Sequence, residues 1–133
     1  LAGLLLGNTD MHLKNFAMVH TDAGMRLSPA YDAVSASLYG YKTIALSIGG
    51  ADNIPLGNLK PQTLIKLGQE FGLSAEAIAM AADQLEKRRH AAREALMKGR
   101  IGSPSLKDEI LTHMEKRWNG TFALIGKTLS KKR

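Results

Sequence analysis

The chain carries the segment Gly7-Asn8-Thr9-Asp10-Met11-His12-Leu13-Lys14-Asn15-Phe16 near its start, and the rest of the sequence is best understood outward from it. The apolar run at residues 1–6 is typical of the last turns of a buried helix, which Gly7 would end. Downstream, the turn signal Thr21-Asp22-Ala23-Gly24 predicts a small β-hairpin over residues 15–30. The predicted order is therefore helix, polar loop, hairpin and then Asp32.

Three polar residues of this region follow a spacing that suits phosphoryl transfer. Asp10 and Asn15 form the pattern Asp-x-x-x-x-Asn, and Asp32 follows the hairpin. Such a reaction needs a carboxylate that takes the proton of the attacking hydroxyl, and hard oxygen ligands for Mg²⁺. Protein kinases supply a loop Asp, a loop Asn and a later Asp in this order. The pattern alone leaves a second interpretation open, in which Asp10 and Asn15 only cap a helix and a turn.

The flanking residues carry a family resemblance. Residues 7–16, together with Leu27-Ser28-Pro29-Ala30-Tyr31-Asp32-Ala33-Val34 and Leu46-Ser47-Ile48-Gly49-Gly50, closely resemble the HipA family of bacterial Ser/Thr kinases, the toxins of toxin–antitoxin pairs. The resemblance implies that Asp10 is the catalytic base and that Asn15 and Asp32 hold Mg²⁺. It also implies that the phosphates of ATP and the metal are lined by His12, Leu13, Lys14 and Tyr31.

Two departures from ordinary protein kinases agree with the HipA type. His12 stands where those kinases often have Lys, and Ala33-Val34 stands where they have Phe-Gly. Lys14 is a candidate for the positive charge near the transferred phosphoryl group. A loop role for His12, with its ring satisfied by a backbone carbonyl, remains as open as direct contact with phosphate.

The second half of the sequence predicts helices, in a bundle over residues 60–126. One helix begins at Pro61 and ends before Gly72, with Phe71 on its buried face, and a second is capped by Ser74. A third is expected from the Ser-x-x-Asp pattern at Ser105, and Gly120 would end it. Residues 43–48 are expected to be a strand or an extended segment. The fold class is thus mainly α with a small β-hairpin, and the resemblance implies the C-terminal lobe of a protein-kinase-like α+β fold over residues 1–133.

Parts that a kinase needs are missing from the sequence. There is no Gly-x-Gly-x-x-Gly cradle for phosphates and no strand Lys before Asp10. The chain also opens at Leu1, inside an apolar run. We therefore expect a fragment that lacks an N-terminal lobe and has no kinase activity alone.

Composition excludes several other classes. The chain has 133 residues, a net charge of +6 and no cysteine, which removes a disulfide scaffold, a cysteine zinc site and a thiol nucleophile. No apolar run approaches the roughly 20 residues of a membrane span, and residues 1–6 lack the basic start of a signal peptide. We expect a cytoplasmic protein with no membrane partner.

The positive charge lies in the C-terminal third. Residues 1–85 hold 5 basic and 7 acidic side chains, whereas residues 86–126 hold 9 basic and 5 acidic ones. The basic residues at 87–93 and the tail at 127–133 fit a solvated surface, or a helical module that binds DNA or a repressor. The resemblance implies a protein substrate, a HipB-like antitoxin and DNA held through the antitoxin complex as partners.

Two enzymatic alternatives stay open. Kinase-fold enzymes that phosphorylate antibiotics or sugars use a similar Asp-x-x-x-x-Asn loop and a later metal Asp, although the HipA-like flanks favour a protein substrate. A metal-dependent hydrolase built on Asp10 and His12 would need further ligands, and the sequence shows no further His or Asp cluster near them.

Overall fold

The computed structural model describes residues 1–130. Its regular elements are, in chain order, helix α1 (Ala2–Leu6), strands β1 (Met18–Thr21) and β2 (Gly24–Leu27), and helices α2 (Pro61–Glu70), α3 (Ala75–Lys98), α4 (Pro104–Gly120) and α5 (Ile125–Ser130). Single 3-10 turns lie at Leu13–Asn15, Ala36–Tyr39, Leu56–Asn58 and Phe122–Leu124. The predicted class, mainly α with a small antiparallel hairpin, is confirmed.

The hairpin stands apart from the hydrophobic core. Its strands pair from Met18 opposite Leu27 to Thr21 opposite Gly24, and every one of their residues is exposed. Gly24 adopts a φ of 98°, which only glycine reaches at little cost, so the turn can be this tight. The segment at residues 43–48 forms only isolated bridges, Thr43 with Pro55 and Ile48 with Ala51, and its backbone bends at Ala45 and Leu46. The expected strand is therefore absent, and the bend interrupts the expected extended backbone.

The core lies where the helices meet the segment at residues 43–48. Its most deeply buried residues come from α2, from α5 and from the turn between α4 and α5, and they are Leu64, Ile65, Phe122 and Ile125. Trp118 of α4 stacks on Phe122 with ring centroids 6.0 Å apart. Burying one such side chain contributes roughly 1.5–3 kcal/mol. Leu4 and Leu5 of α1 belong to the same cluster, so the core also anchors the element that leads into the polar loop.

Two details of the predicted helices are wrong. Phe71 is 77% exposed, because α2 ends at Glu70 and Phe71 already belongs to the turn that Gly72 closes with a φ of 71°. The third helix is capped by Ser103, whose hydroxyl accepts from the amide of Leu106 over 3.2 Å, and Ser105 lies inside the helix. Pro104 explains the shift, since its fixed φ suits the first helical position and leaves the preceding residue as the cap. Ser74 caps α3 as predicted, accepting from Ala77 over 3.2 Å.

The chain stays helical beyond Gly120. Thr121 keeps helical backbone angles, and a 3-10 turn and α5 follow, held by the buried side chains of Phe122 and Ile125. The expected basic tail at 127–133 therefore begins inside α5, and its residues 131–133 lie outside the described part of the chain. Within residues 1–130 no helix is long and apolar enough to cross a membrane.

Candidate active site

The polar loop begins at a tightly held helix end. Gly7 ends α1 with a φ of 81°, and the next two residues, Asn8 and Thr9, are each only 2% exposed. The Thr9 hydroxyl donates to the carbonyl of Tyr41 over 2.5 Å, and the Thr9 carbonyl accepts from the amide of Ala45 over 3.0 Å. The chain thus emerges from the core at Asp10, whose side chain is exposed to solvent at the head of the loop.

A 3-10 turn fixes the side chain of Asn15. The amide of His12 donates to Asn15 Oδ1 over 2.9 Å, and the amide of Asn15 donates back to the His12 carbonyl over 3.0 Å. This reciprocal pair sets the direction of the Asn15 carboxamide. Because an amide oxygen has two lone pairs, Asn15 Oδ1 keeps one for a further partner.

The hairpin returns the chain to this turn. Asn15 Nδ2 donates to Asp32 Oδ2 over 2.7 Å, and the Tyr31 hydroxyl donates to the Lys14 carbonyl over 2.6 Å. Asn8 Nδ2 reaches the backbone carbonyl of Asp32 at 3.3 Å. Asp32 itself has a φ of 54°, in the left-handed region that non-glycine residues seldom occupy. Such strain is retained where the surrounding contacts enforce it, and it occurs often at functional sites.

The resulting donor set fits a hard cation. Asn15 turns its Nδ2 toward Asp32 and its Oδ1 toward the His12 amide, so the hydrogen bond joins the two side chains but not their oxygens. A carboxamide oxygen and a carboxylate are both ligands that Mg²⁺ prefers, and each side chain has one to offer. Mg²⁺ commonly takes only one or two protein ligands and fills its shell with phosphate and water oxygens. Among residues 1–130 no group of three or more His, Asp or Glu side chains could hold a metal. The hydrolase alternative built on Asp10 and His12 therefore gains no support from the described chain.

The structure brings together only part of the predicted set. Asn15 and Asp32 meet through their side chains. The Tyr31 side chain reaches only the carbonyl of Lys14, and His12 takes part through its backbone. Leu13 is 77% exposed. Two buried atoms in this region, Asn8 Oδ1 and His12 Nδ1, have no hydrogen-bond partner within residues 1–130. Buried polar atoms without partners are uncommon, and a bound ligand or water is a usual explanation.

Residues far along the chain, which sequence reasoning missed, hold the loop in place. Ser35 donates its hydroxyl to the Leu6 carbonyl over 2.8 Å. Arg117 of α4 donates from Nη1 to the Leu5 carbonyl and from Nη2 to the Ser37 hydroxyl, both over 2.9 Å. Partial burial lowers the pKa of the Arg117 guanidinium from its ordinary value. No sequence signal marks these residues, since their partners lie 29 to 112 positions away.

Two of the four Lys and Arg residues at 87–93 form ion pairs within the described chain. Lys87 forms an ion pair with Asp83 at 2.7 Å, and Arg89 pairs with Glu115. The hydrogen bond from Arg89 lowers the pKa of Glu115, and the same bond raises the pKa of Arg89. Arg88 and Arg93 are exposed and form no ion pair with any residue of the described chain. The net positive potential of this helix face is therefore smaller than the sequence suggests.

Comparisons with known proteins agree with this geometry. A family model described as the HipA-like C-terminal domain matches residues 1–94, which include the loop, the hairpin and Asp32. A Sinorhizobium fredii protein named "Putative kinase Y4dM" is 33% identical over 112 residues, covering 82% of this chain and 27% of that protein. The chain thus spans about a quarter of the length of this curated relative.

Proposed function

Since this chain belongs to the family of HipA-like C-terminal domains, we propose that it supplies the catalytic loop and the metal-binding residues of an ATP-dependent Ser/Thr protein kinase. The observation that carries the proposal is the hydrogen bond of 2.7 Å from Asn15 Nδ2 to Asp32 Oδ2, which holds the two proposed metal-binding side chains against each other. A relative named as a kinase supports the same class.

In this proposal each residue of the site has a separate role. Asp10, exposed at the head of the loop, accepts the proton of the attacking protein hydroxyl and orients that hydroxyl toward the phosphate. Asn15 and Asp32 hold Mg²⁺, which neutralises charge on the phosphate oxygens of ATP. Tyr31 keeps the turn that carries Asn15 in place through its bond to Lys14. His12, Leu13 and Lys14 line the phosphate side of the site.

The activity belongs to a longer protein. A kinase covers the phosphates with a loop of backbone amides and pairs them with a Lys, and this sequence offers neither before Asp10. The exposed apolar side chains around the site suit a further lobe above it, and they include Phe16, Met18, Met25 and Leu27. In this proposal the missing N-terminal lobe holds the adenine, and the 133 residues alone transfer no phosphate.

The proposed setting is a toxin–antitoxin pair in the cytoplasm. The substrate is a protein hydroxyl, and a HipB-like antitoxin is the regulatory partner. DNA is contacted through the antitoxin complex, with Arg88 and Arg93 as the exposed, unpaired cations of the 87–93 stretch. Because Lys87 and Arg89 are already paired, direct binding of DNA by this face alone should be weak and strongly dependent on salt.

The test is a phosphotransfer assay on the longer protein that contains this chain. Labelled ATP is supplied with Mg²⁺ or with EDTA, and the acceptor is either a bacterial protein extract or a panel of sugars and aminoglycosides. Label on protein that needs Mg²⁺ supports the proposal, and label on the small molecules would assign the chain to the kinases of small substrates. The isolated chain of 133 residues is the control, and transfer by it would contradict the proposed need for a second lobe.

A further inference from the structure

We propose that Arg117 is a positioning residue that holds the loop of Asp10 in register with Asp32, from a helix outside the segment that carries the chemistry. The effect on catalysis rests on the proposed function, whereas the tether itself can be tested without it.

The carbonyls at the end of α1 are bonded to residues later in the chain. The last carbonyls of a helix lack partners within the helix and must find them elsewhere. Here the Leu5 carbonyl accepts from Arg117, the Leu6 carbonyl accepts from the Ser35 hydroxyl, and the Gly7 carbonyl accepts from the amide of Ser37 at 3.0 Å. All three donors come from outside the loop. The end of α1, which leads into the polar loop, is thus held in place by residues later in the chain.

The guanidinium fork of Arg117 bridges two segments of the chain. One guanidinium nitrogen bonds to α1 and the other bonds to Ser37, so a single rigid group spans the gap between the two segments. The space between the fork and Gly7 is filled, because a Cβ added to Gly7 would collide with the Ser37 hydroxyl and lie 2.8 Å from Arg117 Nη2. The guanidinium is therefore packed in place and fixes the separation of its two partners.

The two segments that Arg117 bridges lead directly to the proposed site. Asp10 lies three residues after Gly7, and Asp32 lies five residues before Ser37. Between them Asn8 donates to the carbonyl of Asp32 over 3.3 Å. A shift of α1 against Ser37 would therefore move the proposed base relative to the proposed metal ligand. A misplacement of about 1 Å caused far from the chemistry can cost about 10²-fold in rate.

Ion pairing offers no competing explanation for Arg117. Arg89 of the neighbouring helix is engaged by Glu115, whereas Arg117 forms no ion pair with any residue between 1 and 130. Its recorded hydrogen-bond partners are a helix-end carbonyl and a serine hydroxyl on the two sides of the site.

The tether is tested by hydrogen exchange on the chain of 133 residues. Arg117→Ala should speed the exchange of the Ser37 and Asn8 amides at least about tenfold, while Ile78 in α3 keeps its protection. Lys116→Ala, exposed on the same helix, is the matched control and should change none of them. If Arg117→Ala fails to fold, Ser37→Ala removes only one acceptor and should speed the same amides. Unchanged exchange at Ser37 and Asn8 would overturn the tether.

The catalytic effect is tested in the longer protein. Arg117→Ala should lower kcat about 10²-fold while the KM for ATP changes less than about twofold, and added guanidinium should restore part of kcat. Arg117→Lys should be intermediate, since one ammonium cannot replace the fork. A matching loss in thermal stability with no rescue by guanidinium would make the role merely structural and refute the proposal. A fully active Asp10→Asn protein would instead refute the proposed function, and the exchange result would stand.

Discussion

The carboxamide of Asn15 and the carboxylate of Asp32 are joined by a hydrogen bond of 2.7 Å across a hairpin, although 17 positions separate them in the sequence. The hairpin makes this possible, because its paired strands place the end of β2 beside the start of β1, next to the turn that carries Asn15. The strained backbone of Asp32, with a φ of 54°, completes the approach. This pair is the central contact of the proposed site.

Asp32→Asn in the longer protein should lower Mg²⁺-dependent phosphotransfer at least about 10²-fold, since the only negatively charged ligand of the proposed pair is lost. Initial rates over a range of Mg²⁺ concentrations measure the effect. Asp22→Asn, in the exposed turn of the hairpin, is the matched control and should leave the rates unchanged. An Asp32→Asn protein with the activity of the parent would show that the metal assignment is wrong.

Asp10→Asn should lower kcat about 10²–10⁴-fold and leave the KM for ATP nearly unchanged, because a general base acts in the transition state and not in nucleotide binding. Steady-state kinetics with varied ATP separates the two constants. Asp108→Asn on the exposed face of α4 serves as the charge-matched control. A change confined to KM would assign Asp10 to binding and exclude it as the base.

Gly7→Ala should destabilise the fold more than Gly72→Ala, although both glycines follow a helix with positive φ, 81° and 71°. The left-handed conformation alone costs an L-residue roughly 1–2 kcal/mol. A Cβ at Gly72 meets nothing within 4 Å, whereas one at Gly7 meets Ser37 and Arg117. Urea unfolding of the chain of 133 residues gives both free energies, and equal losses would show that the space around Gly7 can adjust.

Glu115→Gln should lower stability at pH 7 by about 0.5–1 kcal/mol, the range of a partly exposed ion pair. The bond from Arg89 lowers the pKa of Glu115 in the folded protein, so the pair stabilises the fold above the unfolded pKa of about 4.3. That contribution is lost as the pH falls through the lowered pKa. The two proteins should therefore unfold alike at strongly acid pH, and a difference that persists there would point to packing against Trp118 instead.

Local signals explain what could be predicted from the sequence. The turn at Thr21–Gly24, the proline at the start of α2 and the serine before α3 each act within a few residues, so the corresponding elements were found. The same reasoning placed the cap of α4 at Ser105 because it weighed a side-chain pattern above the position of Pro104. The tether of Arg117 was missed for a different reason: its partners are distant in sequence, and nothing near Arg117 distinguishes it from a surface cation. The metal and catalytic roles of Asp10, Asn15 and Asp32 stay predictions.

The bond between Arg117 and the Leu5 carbonyl joins residues 112 positions apart. This separation affects the order in which the site can form during synthesis. Translation produces the polar loop before α4. A nascent chain therefore contains every residue proposed for the chemistry well before it contains Arg117, which holds the loop in place. A chain cut after residue 94, where the family match ends, would be in the same condition. The polar loop would thus reach its braced geometry only after α4 has been synthesised and has folded against α1.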